Sequence, residues 1–340
     1  MPALWSSQVW SSQAIEVAEC RQYDIAVLLV AAWLDYIIGD PWSWPHPVQF
    51  MGKGIDGYVK RATAQTYSPV TMRFLGIGLA ILIIGGSAGV SALLLCLLGK
   101  VSLLLRGCLE VVWVASCFAG RSLRASAEDV LQPLAADNLQ LARERLSLYV
   151  GRDTQALSTP DIYRAVLETV SENAIDGVLA PLFYAIVGAL FGVAAPFALA
   201  YKAASTLDSM VGYREAPYTD LGWFSAKLED ALTWLPCRLS VLTVALLSGR
   251  PGHVLRICRR DAVADPSPNA GWSECAYAAA LGVQMGGLNV YRGNVVEKPL
   301  LADADRPIDS TVIWQALQIT RRSFLIGLIC GLLCLGAGSV

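Results

Sequence analysis

The stretch Glu168-Thr169-Val170-Ser171-Glu172-Asn173-Ala174-Ile175-Asp176-Gly177 decides how this chain is read. Its carboxylates stand at i, i+4 and i+8, a spacing that puts them on one face of a helix. The residues that follow, Val178 to Ala200, carry no charge. An acidic face therefore runs straight into a segment apolar enough for a bilayer. Acids at a membrane boundary are costly unless they bind a cation or a cationic partner. The pattern predicts a membrane-embedded protein that does charged chemistry.

Working outward, the 340 residues are 55% hydrophobic and 16% charged, against about 25% charged in a soluble domain. Mean hydropathy is +0.48. A net charge of -2 without a basic excess excludes a nucleic-acid-binding surface. The 9 cysteines form no C-x-x-C pair and read as small buried hydrophobes. Met1 to Glu19 contains two glutamates and neither Lys nor Arg, unlike a signal peptide. Residues 1–23 are read as an N-terminal extension, and 24–340 as a single membrane-embedded domain.

Apolar runs occupy Ile25–Gly39, Met72–Leu98, Val101–Ala119, Gly177–Ala200, Ala231–Ser248 and Ser323–Val340. The short linker Leu98-Gly99-Lys100 predicts a helical hairpin between the second and third. Arg121 to Ser171 is charged, with Ala and Leu at helical spacing. It reads as two or three amphipathic helices, the last starting at Ser158-Thr159-Pro160-Asp161. Gly286 to Asp309 reads as loop. The fold class is all-α: a polytopic membrane helical bundle with cytoplasmic amphipathic helices. Positive residues favour the cytoplasm, which places 40–73, 121–176 with its six arginines, and 250–322 on that side. Keeping 201–230 there as well requires the proline-containing runs 178–200 and 231–248 to be re-entrant or broken.

Four constellations carry the chemistry. Asp35 and Asp40 precede His46, which stands between two prolines; the functional reading is proton or anion handling, the plain one a helix stop and a turn. Glu168, Glu172 and Asp176 suit Mg²⁺ held by carboxylates and phosphate oxygens, or pairing with neighbouring Arg and Lys. Asn173 lies one step off that face. Tyr201 to Arg214 gathers Lys202, Ser205, Asp208, Ser209 and Arg214 around Gly212, a turn where N–H groups can approach a phosphate. It is not a Walker motif. Asp265-Pro266-Ser267-Pro268-Asn269-Ala270-Gly271-Trp272 is a rigid polar turn, with Ser273 a helix cap. Glu274 follows it, and Glu297-Lys298-Pro299 stands further on.

Together these motifs resemble the CobD/CbiB family of cobalamin biosynthesis. The resemblance lies in Leu34-Asp35, Gly39-Asp40-Pro41 and Pro45-His46-Pro47-Val48; in Glu168 to Tyr184; in Ser205-Thr206-Leu207-Asp208-Ser209-Met210-Val211-Gly212-Tyr213; and in Pro266 to Trp272 and Val296 to Pro299. It covers roughly residues 24–325. Ser205 stands where the family pattern has Asn.

The resemblance implies an adenosylcobinamide-phosphate synthase in the cell inner membrane, with its active site facing the cytoplasm. Such an enzyme joins the free propionate of adenosylcobyric acid to (R)-1-aminopropan-2-yl phosphate, or to aminopropanol, as an amide. ATP supplies the energy and Mg²⁺ assists. Carried onto this chain, the catalytic residues are His46, Asp40, Glu172, Asp176 and Lys202. Substrate binding falls to Asp35, Asn173, Ser209, Arg214, Asn269 and Lys298, and the metal to Glu168, Glu172, Asp176 and Asp208. Trp42, Trp44, Tyr213, Trp223 and Trp272 offer flat surface for a corrin or anchors at the lipid interface. Partners are the corrinoid, the aminopropanol phosphate and lipid; a homo-oligomer or association with other enzymes of the pathway is left open. Rival readings are an ion-coupled transporter and a non-catalytic scaffold.

Overall fold

The computed structural model describes residues 21–40 and 44–337. Residues 1–20, Pro41 and Trp42 lie outside them, and with them most of the expected extension. In chain order the helices are α1 (21–37), α2 (Pro47–Ala62), α3 (Pro69–Val101), α4 (Leu103–Cys117), α5 (Gly120–Ala135), α6 (Leu139–Leu146), α7 (Thr159–Ala189), α8 (Ala194–Val211), α9 (Tyr218–Leu221), α10 (Trp223–Leu247), α11 (Pro251–Asp261) and α12 (Ala270–Leu281). Strands β1 (Met285–Tyr291) and β2 (Asn294–Leu301) follow, then α13 (Ser310–Ala337). Among the described residues four helices, α3, α7, α10 and α13, are long and apolar enough to cross a membrane; the bent pair α4 and α5 makes a fifth if counted as one span. The protein is an all-α, multi-pass membrane protein with one small hairpin.

Two compact units emerge. The first comprises the described residues up to Phe118, Pro181–Glu229 and the described residues from Ile326. Here α8 packs on α2, α3 and α4, around Ile55, Leu79, Leu207 and Val211. The outer faces of α3 and α4 remain apolar and exposed, at Phe74, Ile81, Leu82, Val90, Leu93, Val101, Leu104 and Val112. Lipid satisfies such a surface; water does not. The charge inside α4 is handled locally: buried Glu110 accepts a hydrogen bond from Tyr23 at 2.8 Å and lies 3.7 Å from Arg106. The second unit comprises Ala119–Ala180 and Asp230–Leu325. Its core is assembled from α5, α7, α10, α11, α12 and α13, with Leu123, Val130, Leu167, Val170, Val241, Ile257 and Ile313 among its buried members.

Several expectations are revised. The α3–α4 break falls at Ser102, whose hydroxyl accepts from Leu105 N, so Gly99 and Lys100 are helical. The 178–200 run is broken, but at Leu190–Val193 rather than at its prolines: Tyr184 stacks on Tyr201 at 4.9 Å, so the chain reverses there. The 231–248 run is not broken. Pro236 sits inside continuous α10, which Cys237, Val241, Val244 and Ala245 hold through contacts with the core. Residues 201–230 are mostly helix, and 286–309 is largely the β1–β2 hairpin, antiparallel with Tyr291 opposite Asn294. Its two-residue turn, Arg292-Gly293, has φ of 50° and 78°, the twist that two-residue hairpins favour. Asp153 caps that turn by accepting from both N–H groups, at 3.2 and 2.8 Å.

Candidate functional site

The acidic helix begins as expected. Pro160 opens α7, and Ser158 and Asp161 form a reciprocal capping box. One turn of π-helix, Ala174–Leu179, interrupts α7 just where Asp176 lies; such turns recur at functional sites. The three carboxylates consequently meet three environments: Glu168 is buried, Glu172 exposed and Asp176 half-buried.

Glu168 is fully engaged. One oxygen is held by Arg152 in a short contact; the other accepts Gly286 N at 3.2 Å and lies 3.7 Å from Arg164. Arg152 also donates to Asn289 Oδ1 at 2.7 Å, and Arg164 donates to the carbonyls of Gly286 and Leu288. The carboxylate and two guanidiniums therefore clamp the hairpin to α7. Removing one partner of such a buried pair is strongly destabilising. Gly286 is obligatory at this contact: φ is +88°, and a Cβ would lie 2.0 Å from Pro299 O.

Glu172, one turn on, is left open. It lies within electrostatic reach of Lys298, Asp265, Glu168 and Arg152. Lys298 Nζ is 3.5 Å from Glu274 Oε1, and Glu274 is completely buried. That burial pushes the Glu274 carboxyl up to about 8; Lys298 opposes the shift, while Glu172, Glu168 and Asp265 add to it. Burial alone would lower Lys298, but Glu274, Glu168 and Glu172 outweigh it and hold the ammonium above the ordinary lysine range.

Asn173 is exposed, and its amide donates to Thr169 O at 2.9 Å along its own helix. Asn269 is buried before α12. It donates to Asp230 O at 2.9 Å, while its Oδ1 has no hydrogen bond. Asn269 is the N-cap of α12 but makes no side-chain cap bond, and Ser267 accepts Ala270 N at 3.1 Å instead; Ser273, the expected cap, donates to Ala270 O within the helix. Among the described residues no three His, Cys, Asp or Glu side chains gather to enclose a metal.

The remaining candidates belong to the first unit. His46 caps α2: Nδ1 accepts Val48 N at 3.2 Å, and Nε2 faces Asp40 Oδ1 at 3.2 Å. Both ring nitrogens are thus engaged, with Nε2 carrying the proton toward Asp40. Lys202 and Asp40 both lie within electrostatic reach of the buried Cys117. Asp35 is buried, Asp208 half-buried, and Ser209 and Arg214 exposed. Gly212 does not offer its N–H to a ligand, because that group donates to Asp208 O at 2.8 Å and closes α8. Trp44, Tyr213 and Trp223 are exposed. Trp272 instead stacks under Arg238, 4.5 Å away.

Sequence reasoning missed Arg152, Arg164 and Asn289 as site residues, and noted Glu274 only as the acid that follows the polar turn. A lone charge within an otherwise small and apolar helix, Ala270–Leu281, was the available signal for Glu274.

The family model described as CobD/Cbib protein matches residues 28–320. The chain is 50% identical over 312 residues to cobalamin biosynthesis protein CobD of Synechocystis, covering 91% of each chain. It is 41% identical over 293 residues to cobalamin biosynthesis protein CbiB of Salmonella arizonae, covering 85% of this chain and 90% of that one. Citrobacter koseri CobD is 38% identical over 315 residues, 91% and 97% of the two chains. No solved structure gives a significant match. With nearly its whole length matched by relatives of cobalamin biosynthesis, the chain belongs to the CobD/CbiB family.

Proposed function

We propose that this protein is an adenosylcobinamide-phosphate synthase. It joins the free propionate of adenosylcobyric acid to (R)-1-aminopropan-2-yl phosphate at the expense of ATP. The observation that carries the reading is the exposed Glu172, within electrostatic reach of Lys298, one turn from Glu168, which is already committed to arginines. A carboxylate does not condense with an amine unaided. Transfer of the ATP γ-phosphoryl group to the propionate makes an acyl phosphate and ADP. The amine then attacks the acyl carbon; the C–N bond forms, the C–O bond breaks, phosphate leaves, and the amine proton passes to a base.

Such chemistry is governed by positioning and charge stabilisation. Lys298 supplies an ammonium to a phosphoryl or carboxylate oxygen. Mg²⁺ bound to nucleotide needs only one or two protein carboxylates, and Glu172 and Asp176 fit that sparse demand. The ion would supply neutralisation of phosphate charge. Asn269, buried with its side-chain oxygen unbonded, is assigned to substrate, as is exposed Asn173. Roles for His46 with Asp40 as base, for Lys202 and Arg214 on phosphates, and for Asp35, Ser209 and Asp208 come from the family resemblance. As a base His46 must release the Val48 N–H from Nδ1 to take a proton, and the roles are tested separately: in His46→Ala the pH–rate profile loses its acid limb, and an unchanged profile removes the base assignment. The proposal puts this reaction at the cytoplasmic face of the inner membrane, the side that the arginine-rich regions 121–176 and 250–322 favour.

The deciding experiment is direct. Purified full-length protein is given adenosylcobyric acid, the aminopropanol phosphate, ATP and Mg²⁺, and the corrinoid is weighed by mass spectrometry. The amide mass is expected. Corrinoid recovered unchanged rejects the synthase, and its vectorial uptake without covalent change supports a transporter.

A further inference from the structure

Glu274 is wholly buried on α12, yet neither of its carboxylate oxygens has a hydrogen-bond partner. A buried carboxylate without partners is expensive. Its one compensation among the described residues is the Lys298 ammonium, 3.5 Å from Oε1 and itself partly open to the surface. That separation is an ion pair rather than a good hydrogen bond. The N–H donors of Lys298 are therefore not consumed by it. Across the hairpin the residue opposite Lys298 is Gly287, so no cross-strand side chain covers the lysine. The other charges around Glu274 are Glu168 and Glu172 from α7 and Asp265 from the turn before α12, all negative. An ammonium in this position is kept charged from beneath while presenting unused donors outward.

We propose that Glu274 is a positioning residue, which holds the Lys298 ammonium at the hairpin rim with its donors free for a phosphate oxyanion. Two sources of that oxyanion fit the proposed synthase, the nucleotide and the phosphorylated amine. The inference rests on that reading only for these two identities; a phosphate-reading lysine backed by a buried glutamate stands on geometry. Above about pH 8, where the Glu274 carboxyl is ionised, its removal takes from the half-buried lysine its nearest counter-charge, so the lysine swings toward solvent and the oxyanion loses a fixed donor.

The test is calorimetric binding to the detergent-solubilised full chain above about pH 8, where Glu274 is charged. The probes are (R)-1-aminopropan-2-yl phosphate, a non-hydrolysable ATP analogue with Mg²⁺, and unphosphorylated aminopropanol as control. Lys298→Gln weakens one phosphate probe by about tenfold or more, as loss of a charge-assisted contact does. Glu274→Gln weakens the same probe by about tenfold, and the double variant binds no worse than Lys298→Gln, because Glu274 acts only through the lysine. The probe affected names the source. The control amine is unchanged throughout. Equal losses for the phosphorylated and free amine, intact affinity for both phosphates in Glu274→Gln, or a double variant that multiplies the two single losses overturns the proposal. Should Glu274→Gln fail to fold, the double variant, with both charges gone, is compared with Lys298→Gln: equal binding supports the proposal and weaker binding overturns it. Wild type that binds a phosphate probe but makes no amide sinks the synthase reading and leaves the Lys298–Glu274 pair standing.

Discussion

Helices α3 and α7 both pass as membrane spans by length and composition, yet they spend their apolar residues differently. In the most apolar window of α3, Pro69–Val101, only 17% of residues are buried by the rest of the chain; in that of α7, Thr159–Ala189, 61% are. The α3 window is also the more hydrophobic, with mean hydropathy 2.4 against 1.3. A helix that leaves leucines and isoleucines outward is using lipid as its partner. One that packs them into a core can carry charge on its remaining face, and α7 does. Hydrophobicity alone separates neither role; what the rest of the chain covers does.

That contrast can be broken or sharpened by substitution. The largest structural effect is expected at the clamp that fixes the hairpin to α7. Arg152→Ala leaves Glu168 buried and short of a partner and should cost about 3–5 kcal/mol, read as a fall in melting temperature in detergent. A melt indistinguishable from wild type would show that the clamp contributes nothing. Next comes a matched pair of leucines. Leu167→Ala opens a cavity in the core and should cost about 2–5 kcal/mol. Leu82→Ala, on the exposed face of α3, should cost under about 1 kcal/mol, because lipid closes around the smaller side chain. Equal losses would erase the distinction between the two helices. A pH dependence tests the same cluster in a different way. Folding raises Glu274 from the ordinary glutamate value to about 8, so the native state binds the extra proton between those values. Stability should therefore fall as pH rises from about 5 to 8. Glu274→Gln should flatten that slope; a slope unchanged by the substitution would place the titrating group elsewhere.

What was legible in the sequence was local. The capping box before α7, the apolar hairpin of α3 and α4 and the family motifs all depend on spacings of a few residues. The β1–β2 hairpin was not legible, because its glycines mimic a loop and its turn is Arg-Gly rather than Asn-Gly. Gly286 and Gly287 are needed for positive φ against β2, not for flexibility. Nor did spacing reveal which acids are structural. Glu168 meets Arg152 sixteen residues away and Gly286 well over a hundred away, partners that no periodicity encodes. Glu274, the acid after the polar turn, has no role that spacing could assign, because its meaning comes from Lys298 on another element.

On α7 itself, one turn separates a glutamate read as a clamp from one read as chemistry. The most direct measurement compares Glu168→Gln with Glu172→Gln in the same preparation, by melting temperature and by amide formation under mass spectrometry. The account predicts a lowered melt for Glu168→Gln. For Glu172→Gln it predicts a wild-type melt and no product. A Glu172→Gln protein that still forms the amide at the wild-type rate would contradict it.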